Sequence, residues 1–115
     1  MHTPAVQLTD GAWRSGPLLL AVGFRRRLRG IRGVPPGWGV LLRTVSIHTF
    51  GLSYPLTVIT LDGLGRVRRA GRVPPGRVVL DPGAVWIMET PSAGRPPGAG
   101  RLVQVLPMLA GWPDP

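Results

Sequence analysis

Turn-forming residues cut this chain into short pieces. It has 17 glycines and 14 prolines in 115 residues, a level at which low-complexity disorder is a serious alternative. Disorder requires low hydrophobicity. Here 43% of residues are hydrophobic, and they gather into short runs between the glycines and prolines. The pattern predicts many turns between short strands.

Reading along the chain, "LLLAV" (18–22) offers a first strand. "FRRRLRGIRG" (24–33) places Phe24, Leu28 and Ile31 at i, i+4 and i+7, one apolar stripe on a short helix whose arginines lie mostly off it. "VPPGWG" (34–39) is a turn and "VLLRTV" (40–45) a second strand. In 56–61, Leu56, Val58 and Thr60 alternate with Thr57, Ile59 and Leu61, so both faces are apolar. That predicts a central strand covered on both sides. The Asp-Gly of "DGLG" (62–65) turns the chain into a hairpin partner, "RVRRAGRV" (66–73), whose arginines suit a wet edge. Further strands are expected within 74–83, 84–91 and 101–107. The triplet Pro-Pro-Gly recurs at unequal intervals, so there is no repeat. About seven short strands and one short helix predict a mainly β fold, a small antiparallel barrel or curled sheet with the helix at one end or over an edge. An α+β arrangement is the alternative. One β-rich domain is expected over 13–107, between a loose arm at 1–12 and a tail at 108–115.

Composition excludes several chemistries. The chain has no cysteine, which removes disulfides, zinc–thiolate sites and cysteine catalysis. All 14 basic residues are arginine, and the net charge is +9. A charge of this size attracts polyanions without specifying one. "GPLLLAVGF" (16–24) is too short to span a bilayer, and its arginines follow it, the wrong side for an export signal. A soluble cytoplasmic protein is the expectation. No cofactor motif is present: neither a phosphate loop nor a dinucleotide loop nor a G-x-S-x-G elbow. The two histidines stand far apart and no metal-ligand cluster appears, so no metal site is expected.

Four segments together resemble the family called domain of unknown function 192, over roughly Leu18 to Leu106. They are "FRRRLRGIRG", "SIHTFGLSYPLTVITLD" (46–62), "GRVRRAGRVPPGRV" (65–78) and "VWIMETPSAG" (85–94). The resemblance implies a small, mostly β fold and no particular reaction. The chain departs from the family pattern at Thr57, where an Asp is usual, at Leu52, where Met is usual, and at "GIRG", where Leu-Met-Gly is usual.

The scarce polar groups focus attention on one place. Glu89 is the chain's single glutamate, and on a strand it shares a face with Val85 and Ile87. If that face is inward, the carboxylate lies at the rim of the core, where it must be paired or have a raised pKa. A polar rim site of His48, Thr49 and Glu89 around a small-molecule ligand is one reading. In the other, His48 and Thr49 bond backbone groups in a turn and Glu89 pairs with an arginine. Asp62 reads as a turn residue. Trp13, Trp38 and Trp86 read as packing residues. Arg25, Arg26 and Arg29 form a candidate anion-binding strip for a polyanion. The resulting expectation is a binding or accessory module. The alternatives are an enzyme using His48 as acid–base and an arginine-rich nucleic-acid-associated protein.

Overall fold

The computed structural model describes residues 5–21, 31–32, 34–91 and 94–108. Nine strands are present among them: β1 (Ala5–Thr9), β2 (Leu18–Ala21), β3 (Gly39–Leu42), β4 (Ser46–His48), β5 (Leu56–Leu61), β6 (Val67–Val73), β7 (Val78–Leu80), β8 (Trp86–Thr90) and β9 (Gln104–Pro107). Seven form one curled sheet in the order β6-β5-β8-β3-β2-β1-β9, and β4 pairs with β7 in a separate two-stranded sheet. The protein is mainly β, as its punctuation predicts. Most of the expected helix lies outside the described residues, and the remainder, Ile31 and Arg32, sits in a turn.

All pairings are antiparallel except β2 with β3. A parallel pair cannot be joined by a tight turn, and the connection here runs from residue 22 to residue 38. Ile31, Val34 and Trp38 of that connection pack on the outer face of the sheet.

Side-chain alternation divides the core into two layers. Inside the curl lie Val6, Leu8, Leu18, Leu41, Ile59, Leu61, Val67, Met88 and Val103. On the outer face lie Leu19, Ala21, Val40, Leu42, Leu56, Val58 and Ile87, covered by Ile47 of β4, Val79 of β7 and Ala84. Every residue of β5 and β3 is buried. The prediction of a strand covered on both sides holds for β5, and its six residues pair with both β6 and β8.

Two expectations need correction. Residues 5–9 are not part of a loose arm: they form β1, inserted between β2 and β9. Val6 and Leu8 alternate with Gln7 and fill the interior of the curl; the polar residues around them hid a period-2 signal only three residues deep. The run 40–45 is also not one strand. It ends at Leu42, bends through 43–45 and resumes as β4 in the other sheet.

The two ends of the large sheet meet. Before 104–107 joins β1, residues 100–103 run beside the start of β6. Val67 N donates to the Arg101 carbonyl (2.8 Å), Gly100 N to that of Val67 (2.8 Å) and Val103 N to that of Gly65 (2.8 Å). The curl is thus joined at one end, which removes part of the exposed edge. Gly65 makes this possible: its φ is +85°, and a Cβ there would press on the Val103 carbonyl oxygen.

Gly65→Ala therefore combines backbone strain with a backbone clash, whereas Gly76→Ala, at φ +78° with open space around it, carries the strain alone. Urea unfolding should show a loss of about 1–2 kcal/mol for Gly76→Ala and at least about 1 kcal/mol more for Gly65→Ala. Equal losses would remove the clash, and with it the closure, from the account.

Candidate functional site

The scarce polar residues fall into separate environments. His48, at the end of β4, is exposed. Its ring stacks on Phe50 at 5.1 Å between centroids, and its Nδ1 accepts the Phe50 N–H (3.3 Å). Thr49 is fully buried and stitches two loops together. Its hydroxyl donates to the Pro74 carbonyl (2.8 Å) and accepts the Arg77 N–H (2.9 Å). Both residues thus bond backbone groups. No hydrogen bond joins either to Glu89 among the described residues.

Glu89 lies on the outer face of β8, directly between Val40 of β3 and Val58 of β5. Only 2% of it is exposed. Its Oε2 has no hydrogen-bond partner, and no arginine pairs with it among the described residues. Burial alone raises its carboxyl from 4.5 to about 7.

A second buried carboxylate, Asp81, has the opposite character. It follows β7 and lies over the same outer face. Thr60 Oγ1 donates to it (2.7 Å), and so do Arg68 Nε (3.0 and 3.1 Å) and the Gly83 N–H (3.3 Å). Arg68 Nη2 is 3.0 Å from Oδ1. These bonds, the guanidinium's first, hold the Asp81 carboxyl below the usual carboxylate range. A β-bulge sets up the contact. The pairing slips between Thr60, opposite Arg69, and Leu61, opposite Val67, so Arg68 has no partner across the strand. Such a slip re-aims a side chain, and here it turns Arg68 toward Asp81. Gly83 leaves room for the guanidinium, since a Cβ there would strike it. Sequence reasoning missed this cluster, because "LDPG" (80–83) reads as an ordinary turn and a bulge leaves no periodic trace.

A cavity of about 250 Å³ opens at the joined end of the curl. Leu41, Leu61, Trp86 and Val103 wall it, the β5–β6 turn at 62–65 and Val105 form its rim. Asp62 organises that turn: its Oδ1 accepts the N–H groups of Leu64 and Arg66, each at 2.9 Å. These bonds hold its carboxyl below the ordinary range, so it is ionised at neutral pH. Its Oδ2 takes no hydrogen bond among the described residues. The cavity was not foreseen; Trp86 reads as a packing residue until the strands on either side of it are known.

Arg25, Arg26 and Arg29 lie outside the described residues. The exposed strand β6 carries Arg68, Arg69 and Arg72 along one edge. Arg68 is paired as above, Arg69 donates to the Leu80 carbonyl (3.3 Å) and Arg72 to Thr57 Oγ1 (3.3 Å). Thr57 is buried and bonded in this way. Among the described residues no group of three metal-ligating side chains gathers. No described helix is long and apolar enough to cross a membrane.

No family model matches the chain, and no curated protein matches it. The crystal structure of a protein from Sinorhizobium meliloti 1021, provisionally named a transcription regulator, has a similar fold. Its TM-score is 0.65 at 17% identity, over 89% of this chain and 92% of that one. At this identity the likeness establishes the fold alone.

Glu89 makes stability depend on pH in a stated direction. Its pKa is raised on folding, so its contribution is complete below 4.5 and is lost as pH rises to about 7. The lowered pKa values of Asp10, Asp62 and Asp81 act at the other end, with stability lost as pH falls below 3.8. Chemical denaturation should show wild-type stability falling by about 3 kcal/mol between roughly pH 4.5 and 8. Glu89→Gln should flatten that slope. A slope unchanged in the variant would mean that Glu89 is not its source.

Proposed function

We propose that this domain is a binding or accessory module that holds a small ligand, apolar in part and polar in part, in the cavity at the joined end of the curl. The cavity carries the proposal. An apolar cavity of about 150 Å³ takes benzene, so a space of about 250 Å³ suits a fused two-ring aromatic. Such pockets favour the mouths of curled or closed β-sheets.

The rim refines the ligand. The unbonded Asp62 Oδ2 is an ionised acceptor beside apolar walls, so a ligand N–H gains a charge-assisted hydrogen bond there. An N–H-bearing heteroaromatic of the indole class meets both requirements, and Trp86 offers it an aromatic neighbour. The provisional name of the Sinorhizobium protein suits a domain whose occupancy informs a partner. The resemblance to the family domain of unknown function 192 belongs to the same proposal, with the module's fold in common and no reaction implied.

Isothermal titration with indole tests it. Indole should bind with a dissociation constant between about 10 µM and 1 mM. Asp62→Asn keeps the turn acceptor but loses the charge, and should weaken indole about fivefold to tenfold while leaving indene, which has no N–H, unchanged. Val105→Trp, a change at the half-exposed rim, should block both. Absence of indole binding at about 2 mM, or binding undiminished by Val105→Trp, would overturn the proposal.

A further inference from the structure

The outer surface of the β4–β7 hairpin departs from the apolar-in, polar-out alternation expected of a sheet with one face in water. Ile47 and Val79 are opposite each other and face the core. Their neighbours should then be polar, yet Val78 and Leu80 point to solvent at 62% and 58% exposure. His48 lies opposite Val78 and Ser46 opposite Leu80. His48 in turn carries the stacked Phe50, itself half exposed. Leu80, Val78, His48 and Phe50 therefore form one continuous strip, with Val45 exposed beside it. Single exposed apolar residues need no explanation; a contiguous strip does.

The strip is rigid. Thr49 holds the turn at 74–77 through its hydroxyl, and its N–H donates to the Arg77 carbonyl (2.8 Å) while its own carbonyl accepts from Gly76 N (3.0 Å). A surface fixed in advance loses little entropy when it is covered.

Its frame is positive. Arg69 donates to the Leu80 carbonyl at one end, Arg32 to the Phe50 carbonyl at the other (2.8 Å), and Arg77 directly precedes Val78. All three are exposed. The described carboxylates are engaged elsewhere: Asp10 with Arg101, Asp62 in the β5–β6 turn, Asp81 with Arg68, and Glu89 buried beneath the hairpin layer.

We propose that this strip docks a protein partner through a segment that alternates apolar and acidic side chains. The aliphatic pair Val78 and Leu80 takes the apolar side chains, and Arg32, Arg69 and Arg77 take the carboxylates. Nucleic acid fits less well, because base recognition on a single strand relies on stacking and two of the four strip residues have no ring. The docking surface and the cavity are separate, and neither proposal needs the other.

Fluorescence anisotropy tests the docking with two labelled dodecapeptides of equal charge, alternating Leu–Glu and alternating Ser–Glu. In about 0.15 M salt, where long-range attraction is largely screened, the Leu–Glu peptide should bind at least about tenfold more tightly. Val78→Ser/Leu80→Ser should erase that margin, and so should Phe50→Ser, an exposed change that leaves the hairpin pairing intact. Arg77→Gln should weaken both peptides. Far-UV circular dichroism and the melting temperature confirm that each variant is folded. Equal affinity for the two peptides would overturn the proposal, as would a margin that survives both strip variants. A twelve-nucleotide single strand or phosphatidylglycerol vesicles that bind more tightly than the peptide, and lose that binding in the strip variants, would assign the strip to that ligand instead. Sedimentation showing a dimer abolished by the same variants would assign it to a second copy of this chain.

Discussion

The central strands of this sheet are apolar on both faces, and both faces must be removed from water. That constraint organises the molecule. A flat sheet would leave two greasy surfaces exposed. The curl solves one side by folding the sheet over itself, so that Val6 and Leu8 of β1 share one interior cluster with Ile59 and Leu61 of β5. The β4–β7 hairpin and the connection at 31–38 cover the other, through Ile47, Val79, Ile31 and Trp38. Burying side chains of this size stabilises the fold by roughly 1.5–3 kcal/mol each, so the small hairpin is a structural requirement and not an appendage.

The same constraint sets the state of the polar groups caught in the sheet. Asp81 and Glu89 both lie on the outer face. Asp81 sits at the margin, where a bulge in β6 brings Arg68 across and Thr60 adds a hydroxyl. It stays ionised. Glu89 sits at the centre, between two valines on neighbouring strands, where no described cation reaches. A buried charge without a partner is unfavourable enough that the group takes up a proton instead. Position over one sheet face, at its margin or at its centre, separates an anchored carboxylate from one whose pKa burial raises toward neutrality.

Much of the fold was legible because strand periodicity is local. Leu56 to Leu61 declares its two covered faces within six residues, the Asp-Gly after it declares the turn, and the arginines of β6 declare an edge. What stayed hidden depends on distant partners. β1 has too few apolar residues to stand out among its polar neighbours, and its burial becomes necessary only when β2 and β9 flank it. The run 101–107 reads as one strand, yet it changes partner midway, from β6 to β1, because Gly65 admits the backbone of Val103. The site was legible in part. The sequence singled out His48, Thr49 and Glu89 for their rarity; it could not show that a hydrogen bond to backbone occupies the first two while the third lies in a different layer. The cavity and the bulge leave no trace in any single segment.

Local patterns that fail in an otherwise consistent sequence are where function is to be sought. The alternation of β7 is inverted for a solvent face, since Val78 and Leu80 are apolar where the inward residue, Val79, already satisfies the core. Nothing in the stability of the hairpin calls for them. Leu64 makes a similar exception, standing 79% exposed in the turn above the cavity where a polar residue would serve the turn as well. Each exception places apolar surface in water at a position held rigid by hydrogen bonds, Thr49 in one case and Asp62 in the other. These two exceptions lie on different parts of the fold, one on the β4–β7 hairpin and one at the β5–β6 turn.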